Sequence, residues 1–222
     1  MYRKQQGFTL VEIAIVLVII GLLLGGVLKG QELINSAKVK NFAQDFRNIP
    51  LFIYGYQDKY KALPGDDANV VAHAGATATV ATTSATLGNG VINGYWNDTT
   101  TASESFVFWQ HVRLAGLAAG PTVTTDTAYI PRNADGGKIG IEAGSSTAPF
   151  ITGLTGTYVV CSEGILGKFA KQLDTTMDDG NTATGSMRAV ATGATRPATA
   201  VASSGSGTII DDAASYIVCM SL

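Results

Sequence analysis

Few side chains in this 222-residue sequence are placed to do chemistry. Its two histidines, His73 and His111, belong to no H-E-x-x-H helix or other metal-spaced cluster. There is no G-x-S-x-G elbow. Gly136-Gly137-Lys138 lacks a phosphate-loop setting, and Gly88 to Gly94 misses dinucleotide spacing and reads as a turn. The expectation is that the chain is not an enzyme. Three groups remain. Asp174, Asp178, Asp179 and Asn181 put three carboxylates and an amide into one short stretch. Such a set can hold Ca2+, which accepts six to eight oxygens in flexible geometry. The spacing does not match an EF-hand, so a solvated acidic turn is the competing reading. Cys161 and Cys219 stand in matching contexts, Tyr-Val-Val-Cys and Tyr-Ile-Val-Cys, as two buried thiols or as a bridge. Glu12 is the single charge in an otherwise apolar run.

That run, Phe8 to Leu28, is 21 residues long. As a helix it measures ~31 Å, about the thickness of a bilayer's hydrocarbon core. It exceeds the apolar region of an ordinary secretory signal, and no A-x-A site follows it. Glu12 costs about 2.5–3.5 kcal/mol at a bilayer centre. It either snorkels to the nearby interface or meets a cationic partner within the membrane or an assembly. Gly21-x-x-x-Gly25 and Gly26-x-x-x-Gly30 are small-residue pairs that let helices approach closely. Arg3 and Lys4 precede the span, but Lys29, Lys38 and Lys40 follow it, so loop charge alone does not orient it.

Gly7-Phe8-Thr9-Leu10-Val11-Glu12, after a short basic leader and before a long apolar run, resembles the processing site of type IV prepilins and type II secretion pseudopilins. The resemblance covers about the first 30 residues. It implies cleavage between Gly7 and Phe8 by a prepilin peptidase and methylation of the new Phe8 amine. It also implies a role for Glu12 in neutralising the amine of a neighbouring subunit during assembly. Its further implications are a homo-oligomeric helical filament, an inner-membrane assembly platform, and membrane lipid around the helix beforehand. The location implied is the bacterial inner membrane with the head outside the cytoplasm, then a periplasmic or cell-surface filament. For an exported head the bridged reading of Cys161 and Cys219 is preferred, and a C-terminal disulfide loop is frequent in pilins. Major pseudopilins bind calcium in a C-terminal loop, although no local pattern aligns Asp174–Asn181 with it. Many pilins carry a proline near the end of the apolar segment; here only Gly25, Gly26 and Gly30 stand there.

Past Leu28 the sequence turns amphipathic. Leu33/Ile34, Ala37, Phe42, Phe46, Ile49, Phe52/Ile53, Tyr56, Tyr60 and Leu63 form one apolar stripe, which predicts a helix continuing to Leu63, kinked at Pro50. From Pro64 the composition shifts to Thr, Ala, Gly and Ser. Thr101-Ala-Ser-Glu104 reads as a capping box opening a short helix, and a second is expected at Gly164–Leu173. Strands are expected at Tyr158–Cys161, Met187–Ala191 and Tyr216–Met220. Ala76–Thr86 and Gly193–Gly207 read as loops. The fold class is α+β, a long N-terminal helix packed on a small antiparallel sheet. Its divisions are a leader at 1–7, a transmembrane helix at 8–28, an amphipathic helix at 29–63 and a head at 64–222.

Charge is unevenly divided. Residues 29–62 carry six Lys/Arg against three Asp/Glu, a net of +3. Residues 64–222 carry seven basic against thirteen acidic, a net of −6. A whole-chain net of −2 argues against a nucleic-acid partner. The reading is a structural filament subunit; a minor or tip pilin, or an anchored adhesin, binding a surface, a glycan or DNA, is the alternative.

Overall fold

The computed structural model describes residues 7, 9–82, 87–144, 148–205 and 208–222. The leader through Gln6, and Phe8 itself, lie outside the described residues, as do parts of both expected loops. The chain divides into two compact units, Met1–Lys38 and Val39–Leu222.

Helix α1, Leu10–Tyr60, contains Pro50 without interruption. Within the first unit its apolar side chains are uncovered: Leu10 is 90% exposed, Leu22 74% and Leu28 66%. An uncovered apolar surface of this length is consistent with membrane anchoring or with a protein contact. Within the second unit α1 buries Val39, Phe42, Ala43, Phe46, Ile49, Ile53 and Tyr56 along one stripe. The expected stripe began earlier, at Leu33, Ile34 and Ala37, but these are exposed. Their periodicity continues that of the head helix, yet the head unit starts only at Val39.

The sheet contains β1 (Ile139–Ala143), β2 (Tyr158–Leu166), β3 (Met187–Ala191) and β4 (Ser215–Ser221), ordered β1-β2-β4-β3 and antiparallel throughout. Alternation assigns the two faces. Tyr158, Val160, Tyr216, Val218 and Met220 join Phe42, Phe46, Ile49, Phe106 and Phe169 in the larger core. Val159, Cys161, Val190, Ile217 and Cys219 face a smaller core with Trp96, Phe150, Ile151 and Leu154, all from loops. Among the described residues the head also contains the helices α2 (Val70–Ala74), α3 (Glu104–Leu114) and α4 (Gly167–Met177). The long helix and antiparallel sheet are the expected α+β architecture.

Several elements differ from expectation. Neither β1 nor α2 is among the elements the pattern predicts. The helix α4 starts at Gly167, because β2 runs on to Leu166 through a register shift between Ser162 and Ile165. Thr101 does not cap α3. The cap position is Ser103, without a side-chain cap bond, and Glu104 turns inward to accept the N–H of Asn93 at 2.7 Å. The chain leaves α1 at Lys61, whose φ is 55°, three residues before Pro64.

Candidate functional site

At the N-terminus, Thr9 and Glu12 form a reciprocal pair. The Thr9 N–H and hydroxyl both donate to Glu12 Oε2, at 2.8 and 2.7 Å, and the Glu12 N–H reaches Thr9 Oγ1 at 3.3 Å. This is a capping box, with Thr9 as the N-cap of α1 and Glu12 in its first turn. The Thr9-x-x-Glu12 spacing carries that signal in the sequence itself, overshadowed there by the charge in an apolar run. Glu12 therefore has a function in the single chain besides snorkelling or meeting a partner: it accepts the N–H and hydroxyl of Thr9 at the helix start, where negative charge is favoured. Gly7, immediately upstream of the undescribed Phe8, is exposed.

In the head, Cys161 and Cys219 are joined by a disulfide across directly paired positions of β2 and β4, with 4.1 Å between their Cα atoms. Both residues are buried in the smaller core. The bonded cysteines are 58 residues apart, and the ring they close contains α4, β3 and the acidic turn between them.

That turn brings Asp174, Asp178 and Asp179 together, with potential ligand oxygens all within 4.8 Å of one another. Asp178 and Asp179 also shape the turn. Asp178 accepts the Met187 N–H at 2.7 Å and the Ser186 hydroxyl at 3.1 Å, while Asp179 accepts the Asn181 N–H and the Thr184 hydroxyl. Asn181 uses its side-chain oxygen on the N–H of Ala183. Asp174 differs: it is fully buried, and among the described residues no donor meets either carboxylate oxygen with full hydrogen-bond geometry. Burial pushes its pKa up to about 6; the nearby Gly180 N–H works against that, and the neighbouring carboxylates Asp179 and Asp178 add to it. The three acids also crowd the C-terminal end of α4, the negative pole of the helix, whose last turn has no basic residue. Buried, unpartnered oxygens under two further carboxylates form a donor set that suits a hard divalent cation.

A second polar cluster lies just where Leu63-Pro64-Gly65-Asp66 reads, by sequence, only as a helix-ending turn. Asp67, 2% exposed, accepts from the Tyr56 hydroxyl at 2.7 Å and lies 2.7 Å from His73 Nδ1. Asp66 takes the backbone N–H groups of Gly88 and Gly90 at 2.5 and 2.7 Å. Gly65, at φ 93°, approaches so closely that a Cβ would strike the Glu104 carbonyl. Its N–H donates to His111 Nδ1, so the His111 proton sits on Nε2, 2.8 Å from the Thr79 carbonyl. Burial keeps that imidazole's pKa low. These bonds fasten the end of α1 to α3 and to the loops around them. Tyr60, Asp66, Asp67, Asn69 and His73 line an open cleft of about 530 Å3 beside the fastening.

Residues 2–28 match a family model described as the prokaryotic N-terminal methylation motif. No curated protein and no solved structure matches the chain. The matched segment contains Gly7, Phe8, Thr9 and Glu12. The chain carries the type IV prepilin signature and is pilin- or pseudopilin-like; the motif implies peptidase processing and filament assembly in general terms.

Proposed function

We propose that the chain is a structural subunit of a type IV pilus or type II secretion pseudopilus. It is made as an inner-membrane precursor with its head outside the cytoplasm. A prepilin peptidase removes residues 1–7 and the Phe8 amine is methylated. Residues 8–28 hold the subunit in lipid and then enter the filament core; residues 29–63 lead into the head at 64–222. The observation that carries this reading is the uncovered apolar stretch of α1, preceded by Gly7 and bearing one carboxylate at its first turn. Exposed apolar helices of this kind gain by packing together, and Glu12 in the capping box lies where a neighbour's new amine can be neutralised. The tip-pilin or adhesin alternative differs in stoichiometry. Filaments sheared from cells should consist mainly of this chain, with an intact mass corresponding to loss of residues 1–7 and addition of one methyl group. A mature chain that keeps Met1–Gly7 would overturn the reading, and near-absence from sheared filaments would transfer it to the tip.

A second proposal concerns the head. Asp174, with Asp178 and Asp179, holds Ca2+ inside the disulfide ring, and Asn181 shapes the turn. The orphaned oxygens of Asp174 support it. The ion would order the turn and take no part in any reaction.

A further inference from the structure

We propose that the outward face of α1 in the head unit, formed by Lys40, Arg47, Leu51 and Tyr54, docks onto the acidic head of a second copy of this chain. At about 100° per residue these positions fall within one stripe, on the side of the helix away from the buried Phe42, Phe46, Ile49 and Ile53. The stripe is unusual for a solvent face. Leu51 is 63% exposed and Tyr54 64%, on the same stretch of helix whose other side supplies the core. Lys40 and Arg47, both exposed, make no hydrogen bond or ion pair among the described residues. An exposed aromatic beside an arginine is the composition of a protein–protein contact centre.

Charge selects the occupant. The stripe has two cations, and the carboxylate that follows it on the same face, Asp58, is paired with Lys61, whereas residues 64–222 carry a net of −6. An anionic bilayer surface would attract the stripe but repel the head that surrounds it; the acidic head of another copy complements it. Continuity supports the same occupant: the stripe lies on the same helix as the uncovered apolar residues Leu10–Leu28, which copies of the chain cover in a filament. Copies tethered to one another there present their heads and stripes to each other at high effective concentration, so a weak second contact suffices. The inference rests on the filament-subunit reading and adds an electrostatic contact to the apolar one.

The test uses the full chain in cells that assemble it. Lys40→Glu with Arg47→Glu should lower sheared-filament yield about tenfold or more. Leader cleavage and the melting temperature of the detergent-solubilised protein should stay at wild-type values, because both side chains are exposed. Should that variant melt lower, Lys40→Gln with Arg47→Gln replaces it and should lower yield less steeply. A photo-crosslinking side chain in place of Tyr54 should give an adduct of two copies of this chain in filaments. Wild-type yield from a stably folded charge-reversed variant overturns the docking surface. An adduct formed only with lipid or with a different protein does so as well. Failure of the unaltered chain to enter filaments at all overturns the subunit reading, and this inference with it.

Discussion

Glu12 is held from behind before it meets any partner. Its carboxylate accepts both Thr9 donors, so part of the cost of a charge in an apolar helix is met within the first turn. Two substitutions separate this capping from the charge. Glu12→Gln keeps a side chain able to cap but removes the charge, whereas Glu12→Ala removes both. If charge is what assembly uses, the two variants should lose filament yield alike, while membrane insertion persists in each. If the Glu12→Gln variant assembled at wild-type yield, capping alone would explain the residue. Asp174 makes the second prediction at this scale. Its folded pKa of about 6 lies above the ordinary 3.8, so its contribution to stability is present below about pH 3.8 and lost as pH rises through 6. His111, lowered by burial, works in the other direction: its contribution is present above its ordinary 6.5 and is lost as pH falls below that. Asp174→Asn should therefore remove part of the stability decline between about pH 3.8 and 6 in detergent-solubilised protein. Calcium should raise the wild-type melting temperature more at about pH 7.5 than at about pH 5, where the carboxylate is protonated. A hundredfold excess over Kd corresponds to about 2.7 kcal/mol. Asp174→Asn should also abolish the calcium effect; identical melting in calcium and chelator would identify the turn as merely solvated.

At the scale of elements, the disulfide is the clearest cross-connection. Opening a ring whose cysteines lie 58 residues apart relieves the unfolded chain of a constraint worth about 4 kcal/mol in the chain-entropy model. Cys161→Ser with Cys219→Ser should lower the melting temperature of the head substantially and leave leader cleavage unaltered. Thiol alkylation of unreduced native protein should label neither cysteine. What the sequence disclosed divides along the same lines. Strand β3 was legible to the residue, because Met187-Arg-Ala-Val-Ala191 is a short, mostly apolar run bounded by turn residues. Helix α1 was legible from length and period, but its burial was not: Leu33 and Ile34 keep the period and remain uncovered, since pattern records which residues can share a face and not what meets it. Strand β1 was hidden because Ile139-Gly-Ile-Glu-Ala143 contains a glycine and a buried carboxylate. Both have tertiary reasons. A Cβ at Gly140 would run into the Trp96 carbonyl, and Glu142 pairs with Arg196 and takes the Trp96 N–H at 2.9 Å. The Asp67–His73–Tyr56 cluster was hidden for a similar reason, its members being scattered over two helices and a turn.

For the whole molecule, two compact units share one helix and place opposite demands on their surroundings. The first is apolar and uncovered; the second has its own core and a net negative charge. Raising ionic strength should weaken the proposed head-level contact through screening while leaving helix packing among residues 8–28 intact. Wild-type filaments sheared into high salt should accordingly loosen between heads before they dissolve. They should become more sensitive to protease within the head-proximal part of α1, near Arg47 and Leu51; an unchanged cleavage pattern would argue against the electrostatic contact.

Strand order has a consequence in time. β4 lies in the interior of the sheet, between β2 and β3, yet it is the last of the four to be synthesised. Until Ser215–Ser221 have been made, β2 lacks its inner neighbour, β3 lacks its strand partner in the sheet, and Cys161 has no mate. An emerging chain can thus anchor its first helix early while its head waits, open, for the final few residues. Emergence of the long helix and closure of the sheet are successive events, and a chain halted before Ser215 would hold β2 and β3 without the strand that joins them, open to proteolysis.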